Sequence, residues 1–127
     1  MTFNPHSARK KRARPEARLQ KTVVQYLMMN GAFFLSIVNE GERSYAMTNE
    51  LKAMGMTPGA ADLLIVVEGR AHFLELKSEG GHQSYAQFQF MDHCLSSNIP
   101  YECVDNITDA LKVLSSWRAI NTTRVAA

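Results

Sequence analysis

Cysteine is scarce in this 127-residue chain: Cys94 and Cys103 are the only two. Their spacing fits neither a zinc site nor a redox pair, which excludes a disulfide-stapled scaffold. Both read as small buried apolar side chains in a reduced, intracellular and therefore cytoplasmic setting. Long apolar runs are missing too. Nothing approaches the ~20 residues of a membrane span, so no membrane partner is expected. The basic N-terminal run has no apolar stretch behind it and does not fit a secretory signal. There are no internal repeats and no low-complexity tract, which excludes solenoids and repeat arrays. His82 and His93 have no partner at a ligand spacing, and His72 reads as filler on a strand.

What the chain does have is uneven charge. Arg9, Lys10, Lys11, Arg12 and Arg14 crowd one short segment with no acid before Glu16. Without those five of the 14 basic residues, 9 remain against 12 acids, so the body is mildly acidic at a formal −3. A basic arm on such a body suits an anionic polymer partner; a solvated tail that aids solubility is the alternative.

The pattern along the chain predicts one α/β domain over residues 15–118, with a disordered arm at 1–14 and a frayed tail at 119–127. Pro15-Glu16 opens a helix in which Leu19, Val23, Leu27 and either Val24 or Met28 form the inner stripe, and Asn30-Gly31 ends it. Residues 33–38 form a strand, 39–44 a polar loop and 49–54 a short helix. Thr57-Pro58-Gly59 breaks the chain. Two strands around Glu68-Gly69 follow. Ser84 caps a helix with Phe88, Met91 and Leu95 on its inner face. Residues 101–104 make a last strand, and Asp105 or Asn106 caps a final helix that packs through Ala110, Leu111, Leu114 and Trp117. The hairpin is antiparallel and the last strand returns through a helix, so the sheet is mixed.

The hairpin carries the chemistry. If Val67 pairs with Arg70 across the Glu68-Gly69 turn, Asp62 lies directly opposite Glu75. Side chains alternate along a strand, so Lys77 shares a face with Glu75. Two acids and an amine then meet in an apolar setting, where charges are costly unless paired or bound to a metal. Alone, Glu-x-Lys is a common tripeptide that need be no more than an ion pair. Asp62 at the matching register changes that reading. Two carboxylates and the main-chain carbonyl of Leu76 can hold a hard cation such as Mg2+, which keeps several waters and accepts phosphate oxygens. Lys77 is then placed to orient water or to neutralise charge at phosphorus.

The stretch from Ala61 to Gly81, with Asp62, Glu75 and Lys77 inside it, then Ala86-Gln87 and late Leu111 to Trp117, resembles the PD-(D/E)xK nuclease superfamily. More narrowly, the chain resembles a stand-alone VRR-NUC (virus-type replication-repair nuclease) domain from about Glu16 to Trp117. Ala61 stands where the superfamily name has proline. The resemblance implies a restriction-endonuclease-like core, αβββαβ with a C-terminal helix. It implies Asp62 and Glu75 as metal-binding acids and Lys77 as the catalytic lysine. Glu16 joins the site from the first helix, and Gln87 from the helix after the hairpin. Without the resemblance, Glu16 reads as a first-turn acid and Gln87 as a surface amide. Asn39 and Arg43 match a polar loop of the family only loosely.

Together these readings point to a Mg2+- or Mn2+-dependent DNA endonuclease, with Arg9, Lys10, Lys11, Arg12, Arg14, Arg43 and Lys52 on phosphates. The resemblance also implies a homodimer and branched DNA, including four-way junctions. The rival from another class is a non-catalytic nucleic-acid-binding module. It explains the basic arm but leaves Asp62 facing Glu75 without a purpose.

Overall fold

The computed structural model describes residues 15–38 and 44–121. The arm with Arg9, Lys10, Lys11, Arg12 and Arg14 lies outside the described residues, as do Asn39, Arg43 and residues 122–127. Helix α1 (Pro15–Met29) opens on proline, whose fixed φ suits a position that needs no N–H, and Glu16 stands at its positive end. Val23 and Leu27 are its buried stripe, flanked by Leu19 and Val24, while Met28 is exposed. Gly31, at φ +67, turns the chain out of the helix.

The remaining elements are β1 (Phe33–Ser36), α2 (Tyr45–Ala53), β2 (Leu63–Val67), β3 (Arg70–Leu76), α3 (Tyr85–Ser96), β4 (Tyr101–Val104) and α4 (Ile107–Ser116). Strand β1 is two residues shorter than the pattern predicts. Helix α2 starts earlier, at Tyr45, because the Ser44 hydroxyl accepts a hydrogen bond from the Met47 N–H at 3.1 Å and caps it.

The four strands lie in the order β1-β2-β3-β4. The β1–β2 and β2–β3 pairs are antiparallel and β4 runs parallel to β3, which is the mixed sheet expected. Val67 pairs with Arg70. The two residues between them, Glu68 (φ 52) and Gly69 (φ 75), are both left-handed, as a type I′ turn requires.

Leu63, Ile65, Leu74, Leu76 and Val104 form one face of the sheet and pack against Val23 and Leu27 of α1 and Ala110 and Leu114 of α4. His72 is buried beside Trp117, ring centroids 5.0 Å apart. The other face carries Phe73 and Tyr101, covered by Phe90, Met91 and Cys94 of α3. Phe90 meets Phe73 edge-on at 5.0 Å. Here the sequence pattern is corrected. It points Phe88 and Leu95 of α3 inward, but both are exposed, and Gln87, Phe90, Met91 and Cys94 face the sheet. A polar residue on the inner face is invisible to a hydrophobic count.

The folded chain also runs further than expected. Arg118 takes φ 65, and the Ala119 N–H donates to the Leu114 carbonyl at 2.9 Å. This left-handed step turns Ala119 and Ile120 back into the core, 7% and 5% exposed, so they are not part of a frayed tail. Asn121 N–H then donates to Asn30 Oδ1 at 2.9 Å. Among the described residues, no helix is long and apolar enough to cross a membrane. Ile120→Ala should cost about 2–4 kcal/mol of unfolding free energy, the usual range for deleting a buried branched side chain. A urea midpoint and slope equal to the parent's would remove Ile120 from the core.

Candidate active site

The β2–β3 register, carried one step beyond the Leu63–Leu74 pair, sets Asp62 opposite Glu75. The Ile37 N–H donates to the Asp62 carbonyl at 2.8 Å, so strand pairing continues through Asp62. The Asp62 side chain reaches across the pair, and its Oδ2 accepts from the Leu76 N–H at 2.7 Å. Glu75 is only 2% exposed.

Helix α3 supplies a neutral partner for that buried acid. The Ser84 hydroxyl accepts from the Gln87 N–H at 3.2 Å, and the Gln87 side-chain oxygen accepts from the Ser84 N–H at 2.7 Å, a complete capping box. The box occupies the acceptor side of the Gln87 amide. Its NH2 group is thereby turned to donate to Glu75 Oε1 at 3.2 Å.

Lys77 lies one residue past β3, but its N–H donates to the Val104 carbonyl at 2.9 Å and continues the parallel ladder. Strand alternation therefore holds and keeps Lys77 on the Glu75 face. Glu16 arrives from α1: its Oε1 accepts from the Ser78 N–H at 3.1 Å. Asp62, Glu75, Lys77, Glu16 and Gln87 are thus brought to one end of the sheet, at the carboxyl ends of β3 and β4. Open α/β sheets commonly bind ligands at that end. Lys52 is not in this group; it is exposed in the last turn of α2, a helix with no buried residue.

Burial pushes the Asp62 carboxyl above its ordinary 3.8, and the Glu16 charge adds to the rise. The Leu76 N–H, a hydrogen bond with the Glu75 carboxyl and the Lys77 charge act in the opposite direction without reversing it. Two further side chains share the environment and were not anticipated. Cys103 pairs with Glu75 across the parallel ladder. Its thiol is pushed up to about 11, first by burial and then by the Glu75 charge, so it is neutral at pH 7 and no nucleophile. Tyr101 Oη accepts from Gln83 Nε2 at 2.9 Å, and burial followed by the Glu75 charge holds its proton on. Their place follows from a parallel pairing made across a helical crossover, which no local turn specifies.

Among the described residues, no three His, Cys, Asp or Glu side chains are grouped to hold a metal. The donors on offer are the carboxylates of Asp62 and Glu75 and the main-chain carbonyl of Leu76, the residue between Glu75 and Lys77. That set is all oxygen and small in number. It suits a hard cation that retains waters, and it lacks the nitrogen and sulfur ligands of a structural zinc site. Two carboxylates placed opposite each other repel when ionised, and a divalent cation between them would offset that repulsion.

No family model matches the chain, and no curated protein matches its sequence. Solved structures do. One described as a VRR_NUC domain superposes with a TM-score of 0.60 at 20% identity, covering 81% of this chain and 97% of its own. A second, described as a VRR_NUC domain protein, gives 0.63 at 15% identity, covering 87% and 93%. The chain therefore shares the fold of these VRR_NUC domain structures.

Folded Asp62 holds its proton more tightly than the unfolded chain does. Stability therefore falls as pH rises from 3.8 through the raised folded value, and at pH 7 the ionised group costs stability. Asp62→Asn keeps an oxygen for the Leu76 N–H and removes the charge. Its metal-free Tm at pH 7 should rise by a few degrees, and a lower Tm would contradict the assignment of Asp62 as a strained, ionised acid.

Proposed function

We propose that the protein is a Mg2+- or Mn2+-dependent endonuclease that hydrolyses DNA phosphodiester bonds. The observation that carries this reading is Asp62 opposite Glu75 on a buried strand pair, with Lys77 on the same face. The VRR-NUC fold supports it. Asp62, Glu75 and the Leu76 carbonyl would hold the cation. When bound, the cation neutralises phosphate charge and acidifies water. Gln87 holds the Glu75 carboxylate in position through its NH2 group. Glu16 fixes the chain just past Lys77 through the Ser78 N–H and adds negative charge that favours a cation over a proton. Lys77 orients the attacking water and offsets charge as its oxygen bonds to phosphorus and the opposite P–O bond breaks.

The basic residues Arg9, Lys10, Lys11, Arg12 and Arg14, with Arg43 and Lys52, would contact phosphates. Such contacts position any nucleic acid and weaken as salt rises. A domain this small has little surface for reading bases, so shape selectivity for branched DNA such as four-way junctions is the reading we adopt. With a labelled junction, Glu75→Gln and Lys77→Ala should each slow Mn2+-dependent single-turnover cutting by roughly 10²–10⁴-fold. Junction binding in EDTA should be unchanged. Metal-independent binding with no cutting by the parent would instead identify a binding module.

A homodimer completes the reading, one active site for each of two strands. Phe33 pairs with Val66 and Leu35 with Leu64, on the sheet face that α3 covers only over β3 and β4. Phe33 is 68% and Leu35 44% exposed. Burying these side chains against a second copy would remove an apolar patch from water. Phe33→Glu with Leu35→Glu should convert a dimer to a monomer by light scattering; an unchanged mass would place the dimer contact elsewhere.

A further inference from the structure

The acids do not sit in place by strand pairing alone. Two residues before Asp62, the Ala60 N–H donates to the Thr57 carbonyl at 3.2 Å, with Pro58 and Gly59 between them. Gly59 has φ +77, and proline followed by a left-handed glycine is the signature of a type II turn. Four other glycines, Gly31, Gly55, Gly69 and Gly80, are also left-handed, and a Cβ on any of them would meet nothing within 4 Å. At Gly59 the same Cβ would overlap the carbonyl carbon and oxygen of Ala86 and come within 2.6 Å of the Gln87 amide nitrogen. Those atoms are backbone in the first turn of α3, with no rotamer through which to yield.

We propose that Gly59 is a positioning residue for the site. Its bare Cα lets the turn rest directly on the helix segment that carries Gln87. Ala61, fully buried in the cluster that includes Cys94 of α3, provides a second point of attachment before Asp62. The segment leading into Asp62 and the residue that holds Glu75 are thus seated on each other. Their spacing sets whether Gln87 reaches Glu75 and whether the two acids present their oxygens to one cation. This rests on the metal-acid reading above for its consequence, but not for the contact itself.

The test compares Gly59→Ala with Gly69→Ala. Gly69 has nearly the same backbone (φ +75) and open space around it, so both variants carry the strain of a left-handed alanine and only one carries the clash. Both variants should lose Tm, Gly59→Ala more than Gly69→Ala because it adds the overlap with the α3 backbone to the shared strain. Only Gly59→Ala should shift the Gln87 side-chain NH2 resonances and speed their hydrogen exchange. It alone should also weaken Mn2+ binding at least tenfold by calorimetry and lower kcat while sparing KM for DNA. Gln87 signals and Mn2+ affinity matching those of Gly69→Ala would overturn the proposal. If Gly59→Ala does not fold, one glycine inserted after Gly59 unseats the turn without adding a methyl. Native Gln87 resonances in that variant would equally overturn it. The resonance measurement needs neither metal nor activity, so a parent that binds no Mn2+ would defeat the nuclease reading and leave this one to be decided.

Discussion

Two carboxylates set face to face, Glu75 buried and Asp62 half-buried, are the constraint around which the rest of the molecule is arranged. Apart from each other, Asp62 and Glu75 would each need a donor or a counter-charge; together they need several. The surrounding elements supply them from different directions. The β3 backbone gives the Leu76 N–H to Asp62, α3 gives the Gln87 NH2 to Glu75, and the end of β3 gives Lys77. Glu16 works against this, bringing a third negative charge to the same corner and raising the Asp62 pKa. A corner optimised for stability alone would not import that charge. One built to favour a divalent cation over a proton gains from it.

The two faces of the sheet divide the work. The face under α1 and α4 is a continuous apolar layer of Leu, Ile and Val, and it carries most of the burial. The face under α3 is mixed: aromatic rings at one end, and the acids, a thiol and an amide at the other. Helix α3 is accordingly a polar clamp as much as a packing element, with Gln87 as buried as many of its apolar neighbours. Its capping box serves both ends of this role, since the hydrogen bonds that start the helix also orient the amide.

Much of this was legible in the residues. A two-residue Glu-Gly turn between β-branched runs specifies its own register, so Asp62 opposite Glu75 could be read before any coordinates, and Lys77 followed by alternation. The αβαββαβα order could be read from caps, breaks and apolar periods, with α2 read as starting at 49 where it starts at Tyr45. Glu16 and Gln87 were a different matter: only the resemblance pointed to them, because a first-turn acid and a helix glutamine are ordinary in isolation. What stayed hidden depended on contacts distant in sequence. The inner face of α3 includes Gln87, which hydrogen-bonds a buried acid, beside Phe90, Met91 and Cys94, and a count of apolar residues does not register it. Tyr101 and Cys103 reach the site through a parallel pairing that no turn dictates. Ala119 and Ile120 re-enter the core after a left-handed Arg118, a step sequence patterns assign to glycine.

The type I′ turn at Glu68-Gly69 stands at the opposite end of the hairpin from the acids, five residue pairs away along the ladder. A strand ladder transmits phase without loss, and a slip of one residue exchanges its two faces. Lengthening that tip by one residue in a way that moved the register would deliver Asp62 to the hydrophobic layer and strand Glu75 without its counterpart. The surface tip, bare of any functional side chain, therefore tolerates changes of residue far better than changes of length. Divergence among relatives with this hairpin should accordingly be recorded there as substitutions, with insertions displaced to the connections outside it.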